Sequence, residues 1–390
     1  MSDPTKLFKY KLSGTTYDLS ATFLPVGFGF ANNTISNFVF GIGPATDLNL
    51  YFARKSNSKA SSLTTGFRYT QGSNIYDLSN LFEPMPPCII TGDNNPTITT
   101  LNTDYTFITF VGNDTSKTLT TKRYTIQFTK NMNVGYIVVG TGAPGSIFSS
   151  GKGGNGGVGG AIAHGSFNCN TTTTYNIRIN NSPVSSADSY TGFSIDDTTN
   201  FIKVYNGIGG NGGLVRGSFD NNNYYFHIRK GGTSGAGGTL STPTGGNGGV
   251  NVSYSELNST KENINFTGTF SNTTGILTLP TAVGSIKFSL GNGGGGGAYT
   301  STNARGGTGG GLAGGSGGTS FSGNSGGGGG GGAVGSNGTL NKGGAGGFQK
   351  ILETTVSSGT QSYGNGGGGG GATNGGAGSP GAVILYFKPT

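Results

Sequence analysis

Gly153-Gly154-Asn155-Gly156-Gly157-Val158 decides how this chain is read, because the pattern returns as Gly209 to Leu214, Gly245 to Val250 and Gly343 to Phe348. Each copy is two Gly-Gly-X triplets, with a small or amide residue at the first X and an apolar one at the second. A period of three is neither helical nor strand-like. It matches the left-handed polyproline II helix, with 3 residues per turn and a rise of roughly 3.1 Å. In that geometry each X lies on one edge, and the other two edges carry bare glycine: Gly153, Gly154, Gly156 and Gly157; Gly209 and Gly210; Gly245 and Gly246; Gly343 and Gly344. Bare edges let neighbouring segments approach closely.

Such a helix has no internal hydrogen bonds, so every buried N–H and C=O must find a partner on an adjacent segment. Glycine also loses more conformational freedom on ordering than alanine, about 0.5–1 kcal/mol per residue. With 81 glycines, only a dense set of inter-segment N–H···O bonds offsets that cost. The expectation is a packed bundle of glycine segments.

The rest of the composition bounds the fold. Only 32% of the 390 residues are hydrophobic and 10% are charged; Trp is absent, and 17 Tyr and 24 Phe are the core formers. That combination fits small aromatic-rich β domains. The net charge of +8 is spread thinly, the longest basic clusters being the pairs Arg54-Lys55, Lys122-Arg123 and Arg229-Lys230. A mildly basic surface is expected, without a nucleic-acid partner. Cys88 and Cys169 leave one disulfide or two buried thiols open, and neither has metal-ligand spacing. No apolar run reaches the length of a membrane span, and no leader peptide is read at the start.

Three regions are expected. Residues 1–100 contain an internal repeat: Tyr17-Asp18-Leu19-Ser20, with Phe23 and Pro25, returns as Tyr76-Asp77-Leu78-Ser79, with Phe82 and Pro84. The reading is a duplicated β domain in which each Asp caps a turn and Leu and Phe share a buried face. Residues 85–100 read as a linker broken by prolines and asparagines. Residues 101–250 and 251–390 each combine β strands with glycine-rich stretches. Strand candidates are Tyr105 to Phe110, Arg123 to Phe128, Val134 to Val139, Tyr175 to Ile179, Phe201 to Tyr205, Tyr224 to Ile228 and Ser285 to Leu290. The closing run Gly381 to Phe387 is apolar enough for a central strand.

The strand Leu277-Thr278-Leu279-Pro280, the strand that runs into a glycine block from Ile286 to Gly297, and the final Gly378 to Ile384 segment resemble the glycine-rich domains of bacteriophage tail-fibre and adhesin proteins. They also resemble glycine-rich structural proteins of large DNA viruses. The resemblance covers roughly residues 123–390. It implies packed polyglycine II helices in a brick at a fibre tip, with loops between them that touch a host receptor. The chain departs from it in beginning with a duplicated compact domain rather than a trimer stalk.

Enzyme chemistry lacks parts. His164 and His227 are the only histidines and sit in no catalytic spacing with Ser, Cys or carboxylates. The Gly-X-Gly-X-X-Gly matches precede no helix. No enzyme, cofactor or metal is expected. Recognition loops are sought among aromatic or charged residues between the glycine segments: Tyr224, Tyr225 and His227, then Tyr299 and Arg305. The leading expectation is a virion structural protein, assembled in a host cytoplasm, that self-assembles into a fibre, tubule or surface layer. Its partners would be itself, other virion proteins or a host receptor. The alternatives are a receptor-binding adhesin and an ice-binding or matrix protein.

Overall fold

The computed structural model describes residues 9–12, 15–18, 39–40, 46–47, 52–54, 68–71, 74–77, 82–84, 87–93, 96–101, 105–112, 121–147, 152–180, 190–194, 201–207, 215–216, 225–250, 252–257, 267–299, 304–312, 314–319, 326–348, 360–371 and 375–388. The chain is mainly β, and its only described helical turn is a 3-10 turn at Thr281–Val283. It divides into Met1–Ile89 and Ile90–Thr390.

The first unit contains β1 (Lys9–Leu12), β2 (Thr15–Asp18), β3 (Val39–Phe40), β4 (Thr46–Asp47), β5 (Phe52–Arg54), β6 (Arg68–Gln71), β7 (Asn74–Asp77) and β8 (Phe82–Pro84). Both copies of the Tyr-Asp-Leu-Ser repeat enter a hairpin of the same register. Tyr10 stands opposite Tyr17 and Lys9 opposite Asp18; Tyr69 stands opposite Tyr76 and Arg68 opposite Asp77. In each hairpin the Asp ends the second strand and its register partner is basic, the pairing that favours opposed charges. Phe82 begins β8, and Leu19, Leu78 and Phe23 lie outside the described residues.

The second unit is layered. One sheet has the order β10-β11-β25-β13-β14-β19-β20, from β10 (Thr97–Leu101), β11 (Tyr105–Val111), β13 (Asn133–Val139), β14 (Ile162–Asn168), β19 (Tyr225–Lys230), β20 (Val252–Leu257) and β25 (Ala382–Phe387). A second has the order β18-β17-β16-β15-β12-β9, from β9 (Cys88–Gly92), β12 (Thr121–Phe128), β15 (Thr174–Asn180), β16 (Tyr190–Ser194), β17 (Phe201–Tyr205) and β18 (Val215–Arg216). A third joins β21 (Thr269–Ser271), β22 (Ile276–Thr278), β23 (Lys287–Leu290) and β24 (Gln361–Tyr363), with β23 and β24 parallel.

The seven-stranded sheet lies between the other two, which explains why β13 and β25 are apolar at nearly every position rather than alternating. Toward the six-stranded sheet, Tyr136 meets Phe193 and Phe387 meets Phe128. On the other face, Ile137, Val139, Ile384 and Tyr386 join Leu277, Phe288, Leu290 and Tyr363 in one core. Gly135 stands opposite Tyr386, and a Cβ there would overlap the tyrosine ring. The missing side chain lets that ring stack on Phe107 with centroids 5.4 Å apart. As expected, the closing segment is a central strand, paired with β11 on one side and β13 on the other.

One difference from the sequence reading follows from side-chain chemistry, and the two alternatives left open for the cysteines reduce to one. The stretch 85–100 is no linker: Cys88-Ile-Ile-Thr and Thr97-Ile-Thr-Thr-Leu are β-branched runs that form β9 and β10, with Asp93 starting the bend between them. Cys88 and Cys169 are both buried thiols, not joined in a disulfide. The Cys169 sulfur accepts a hydrogen bond from the Met132 N–H and donates to the Lys130 carbonyl, each at 3.3 Å, and burial pushes its thiol up to about 11.

Candidate functional site

Strands β13, β19, β23 and β24 run directly into glycine segments, and β14, β20 and β25 leave from them. Within these segments the hydrogen bonds repeat every third residue. From 291–299, the N–H groups of Gly293 and Gly296 donate to Gly249 and Gly246. Those of Gly294 and Gly297 donate to Gly157 and Gly154, and those of Gly295 and Ala298 to Gly329 and Gly326, all at 2.7–2.9 Å. The carbonyls of the same segment accept from Gly235 and Gly238, from Gly307 and Gly310, and from Gly366 and Gly369. Six neighbours thus surround one segment.

The segments 326–333 and 364–371 are enclosed in the same way. Gly327, Gly328 and Gly329 donate to Thr339, Gly369 and Gly307, three different neighbours in three consecutive residues; Gly366, Gly367 and Gly368 donate to Asn292, Ala143 and Gly344. These three segments touch one another, and the nine other described segments close a ring around them. The ring runs 140–147, 152–161, 231–239, 243–250, 304–311, 314–319, 335–340, 342–348, 375–381 and back, each step carried by a backbone bond such as Ala143 N–H to Val158 O or Gly346 N–H to Ala377 O. The lattice therefore takes segments from both sides of residue 250.

This arrangement accounts for the sequence pattern. An enclosed segment has a neighbour on every edge, so it must be glycine throughout: 293–297, 327–331 and 366–370 are unbroken and buried. A rim segment has one outward edge, so every third residue is free to carry a side chain. Gly153, Gly154, Gly156, Gly157, Gly245, Gly246, Gly343 and Gly344 face neighbours from rim segments; Gly209 and Gly210 lie outside the described residues.

The amide at the outward position also has a task. The exposed Asn155, Asn247 and Asn337 accept, through Oδ1, the N–H of Gly237, Thr308 and Ser316 on the next rim segment, at 2.8, 2.9 and 2.8 Å. Ser146 Oγ accepts the N–H of Asn155 at 2.7 Å. A side-chain oxygen replaces the backbone carbonyl of the neighbour that a rim segment lacks.

At the sheet end, the lattice rests on a buried polar cluster missed in the sequence. Ser289-Leu290-Gly291-Asn292-Gly293 and Ser362-Tyr363-Gly364-Asn365-Gly366 are one pattern used twice, with Gly291 and Gly364 at positive φ (59° and 68°). The repeated Ser-X-Gly-Asn-Gly before a glycine run was the available signal. Asn365 Oδ1 accepts from the Asn292 backbone N–H at 2.9 Å and from its side-chain amide at 3.1 Å. The Asn365 amide donates to Gly347 O at 3.0 Å and Ser362 Oγ at 2.9 Å, and Asn292 donates to Ser289 Oγ at 3.1 Å. Both asparagines are fully buried.

At the opposite end, successive segments are joined by six connections: 147–152, 239–243, 299–304, 319–326, 340–342 and 371–375. Their ends share one level, through bridges between Lys152 and Thr239, Arg305 and Thr319, and Gly326 and Leu340, and through the bonds Tyr299 N–H to Pro243 O and Gly145 N–H to Gly376 O. Leu240 (79% exposed) and Ile147 (62%) stand out among the described apolar side chains there. Lys152, Arg305 and Lys342 are exposed, each directly before a Gly-Gly-X-Gly-Gly run, and the six connections contain no Asp or Glu.

The expected recognition residues separate. Tyr299 and Arg305 lie at this end. Tyr225 and His227 lie in β19, inside the seven-stranded sheet, and Tyr224 is outside the described residues. His227 stands opposite His164 with ring centroids 4.8 Å apart. Burial, then the charges of His227 and Arg229, hold the His164 imidazole well below its usual range. Among the described residues no three His, Cys, Asp or Glu side chains cluster as metal ligands, and no helix is long and apolar enough to cross a membrane.

No family model, curated protein or solved structure matches the chain.

Proposed function

We propose that this chain is a recognition protein of the adhesin kind, in which polyglycine II helices form a rigid block that displays connecting loops to a surface receptor, and which also carries an N-terminal domain that arose by duplication. The three-residue hydrogen-bond period supports the polyglycine II reading, and the equal registers of the two Tyr-Asp hairpins support the duplication. The observation that carries the function is the combination of a closed rim with a shared loop end. Glycine edges turned outward would serve lateral assembly, but here the rim amides of Gly237, Thr308 and Ser316 are taken by asparagine side chains of the same chain. The connections that bring Ile147, Lys152, Leu240, Arg305 and Lys342 together are gathered at one end, and loops on a fixed scaffold carry binding elsewhere in proteins. A virion is the setting that the compositional resemblance suggests, with the host surface as partner, and no catalytic step or cofactor is invoked.

The test is the solution mass by light scattering together with negative-stain electron microscopy of the full chain. Discrete particles of one small mass are expected. Ordered fibres, tubules or sheets at the same concentration would overturn this reading and put the self-assembling virion subunit in its place.

A further inference from the structure

A second surface, independent of the loop end, is assembled by strand register. In the six-stranded sheet Arg123 stands opposite Arg178, Arg178 opposite Gly192, Gly192 opposite Lys203, and Lys203 opposite Arg216. Four basic residues from four strands therefore share one cross-strand row. On β12 the outward Arg123, Thr125 and Gln127 alternate with buried Tyr124, Ile126 and Phe128; on β15 Asn176 and Arg178 alternate with buried Tyr175, Ile177 and Ile179. With strands about 4.8 Å apart, the row from β12 to β18 extends about 19 Å. Like charges placed directly opposite one another disfavour the sheet, a cost that an anionic ligand would relieve.

Details around the row hold the cations in place. The Arg178 guanidinium lies 4.5 Å from the Tyr190 ring centroid and donates to the Tyr190 hydroxyl at 3.0 Å, while the Lys203 ammonium lies 5.0 Å from the same centroid. A groove of about 550 Å³ runs over β9, β12, β15 and β16, lined by Asp93, Arg123, Thr125, Asn176, Arg178 and Tyr190. Among the described residues Asp93 is the one acidic residue lining it, and its carboxylate is engaged by the Arg123 backbone N–H at 2.9 Å.

We propose that this row binds an acidic polysaccharide, a chain of sugars bearing sulfate or carboxylate groups laid across the strands. The basic row matches the repeating charge, and the guanidinium groups of Arg123 and Arg178 offer N–H donors to sulfate or carboxylate oxygens. A single-stranded nucleic acid fits less well, because it is held by stacking of bases on open aromatic faces, and the Tyr190 ring is buried and already engaged by two cations.

The test uses the full chain with heparin as the probe, in about 50 and about 200 mM salt. Binding that weakens with salt is expected, with neutral dextran inert. The R123Q/K203Q double variant should lose about tenfold in heparin affinity and show a shallower salt dependence, with no fall in melting temperature. Lys287→Gln on β23, exposed on a different sheet, should bind as the unaltered chain does. Lack of heparin binding at about 50 mM salt, or equal affinity for the double variant, would overturn the proposal. So would loss caused instead by Arg305→Gln at the loop end, and tighter binding of an unstructured oligonucleotide than of heparin would replace the polysaccharide by a nucleic acid.

Discussion

Replacing Gly295 by alanine adds one methyl group at the centre of the lattice. A Cβ at Gly295 would run into the Gly307 carbonyl, at Gly294 into the Gly367 carbonyl, and at Gly296 into the Ala236 carbonyl. All three obstacles are backbone atoms on different neighbours, so no side chain can rotate away. Overpacking costs about 1–3 kcal/mol. Separating the segments also stretches the bonds from Gly307 N–H to Gly296 O and from Gly310 N–H to Gly293 O, at about 1 kcal/mol each. The reduced freedom of the unfolded chain returns about 0.5–1 kcal/mol. The expected net loss is about 3 kcal/mol, a fall of about 6 °C in melting temperature for a unit of this size, read by circular dichroism. Gly246→Ala is the comparison: its Cβ would find its nearest atom at 3.0 Å, and the expected cost is about 1 kcal/mol or less. Alanine should be costly at each of Gly294, Gly295 and Gly296, but at only two of every three positions in the rim segment 152–161. If Gly295→Ala melted together with the unaltered chain, or if only alternate positions were sensitive, the enclosed three-residue lattice would be refuted.

Other consequences are open to measurement. Asn155→Ala, Asn247→Ala and Asn337→Ala should each lower stability by about 1 kcal/mol, and hydrogen exchange should quicken selectively at Gly237, Thr308 and Ser316. Asn365→Ala leaves several buried partners unmatched, and a loss of about 3–5 kcal/mol is expected in denaturant titration. His164 is neutral in the fold with its basicity lowered by burial, so its contribution is present above the ordinary value near 6.5 and is lost as the pH falls below it. A melting temperature that declines on acidification, less steeply in His164→Gln, would agree with that sign. The Cys169 thiol, pushed up to about 11, should resist alkylation at pH 8 until denaturant is added.

Much of the strand order was legible because its signal is local. Tyr105 to Phe110, Arg123 to Phe128 and Gly381 to Phe387 are β-branched and aromatic runs between turns, and they are strands in the structure. The triplet period was equally plain. What escaped reading depends on which segment lies beside which. The unbroken glycine runs at 293–297, 327–331 and 366–370 differ from Gly-Gly-X because they are enclosed, a property of the cross-section rather than of any window of sequence. Asn292 and Asn365 sit 73 residues apart and become partners only when β23 and β24 pair in parallel. The basic row escaped for the same reason: Arg123, Arg178, Lys203 and Arg216 form no cluster along the chain, and antiparallel pairing alone aligns them. The Tyr-Tyr-Phe-His run, by contrast, was ambiguous in kind, since an aromatic strand and an aromatic loop use the same residues, and Tyr225 to Ile228 fall in β19.

The enclosed glycine block has a thermal consequence. Exposing apolar surface raises the heat capacity of a protein on unfolding and exposing polar surface lowers it, with a usual net of about 12–15 cal/mol/K per residue. Melting 293–297, 327–331 and 366–370 uncovers peptide groups and almost no hydrocarbon side chain, so these stretches add far less than that. The heat-capacity change of the second unit should consequently fall somewhat below the usual per-residue figure, and its stability curve should be less curved than that of a wholly apolar core of equal length.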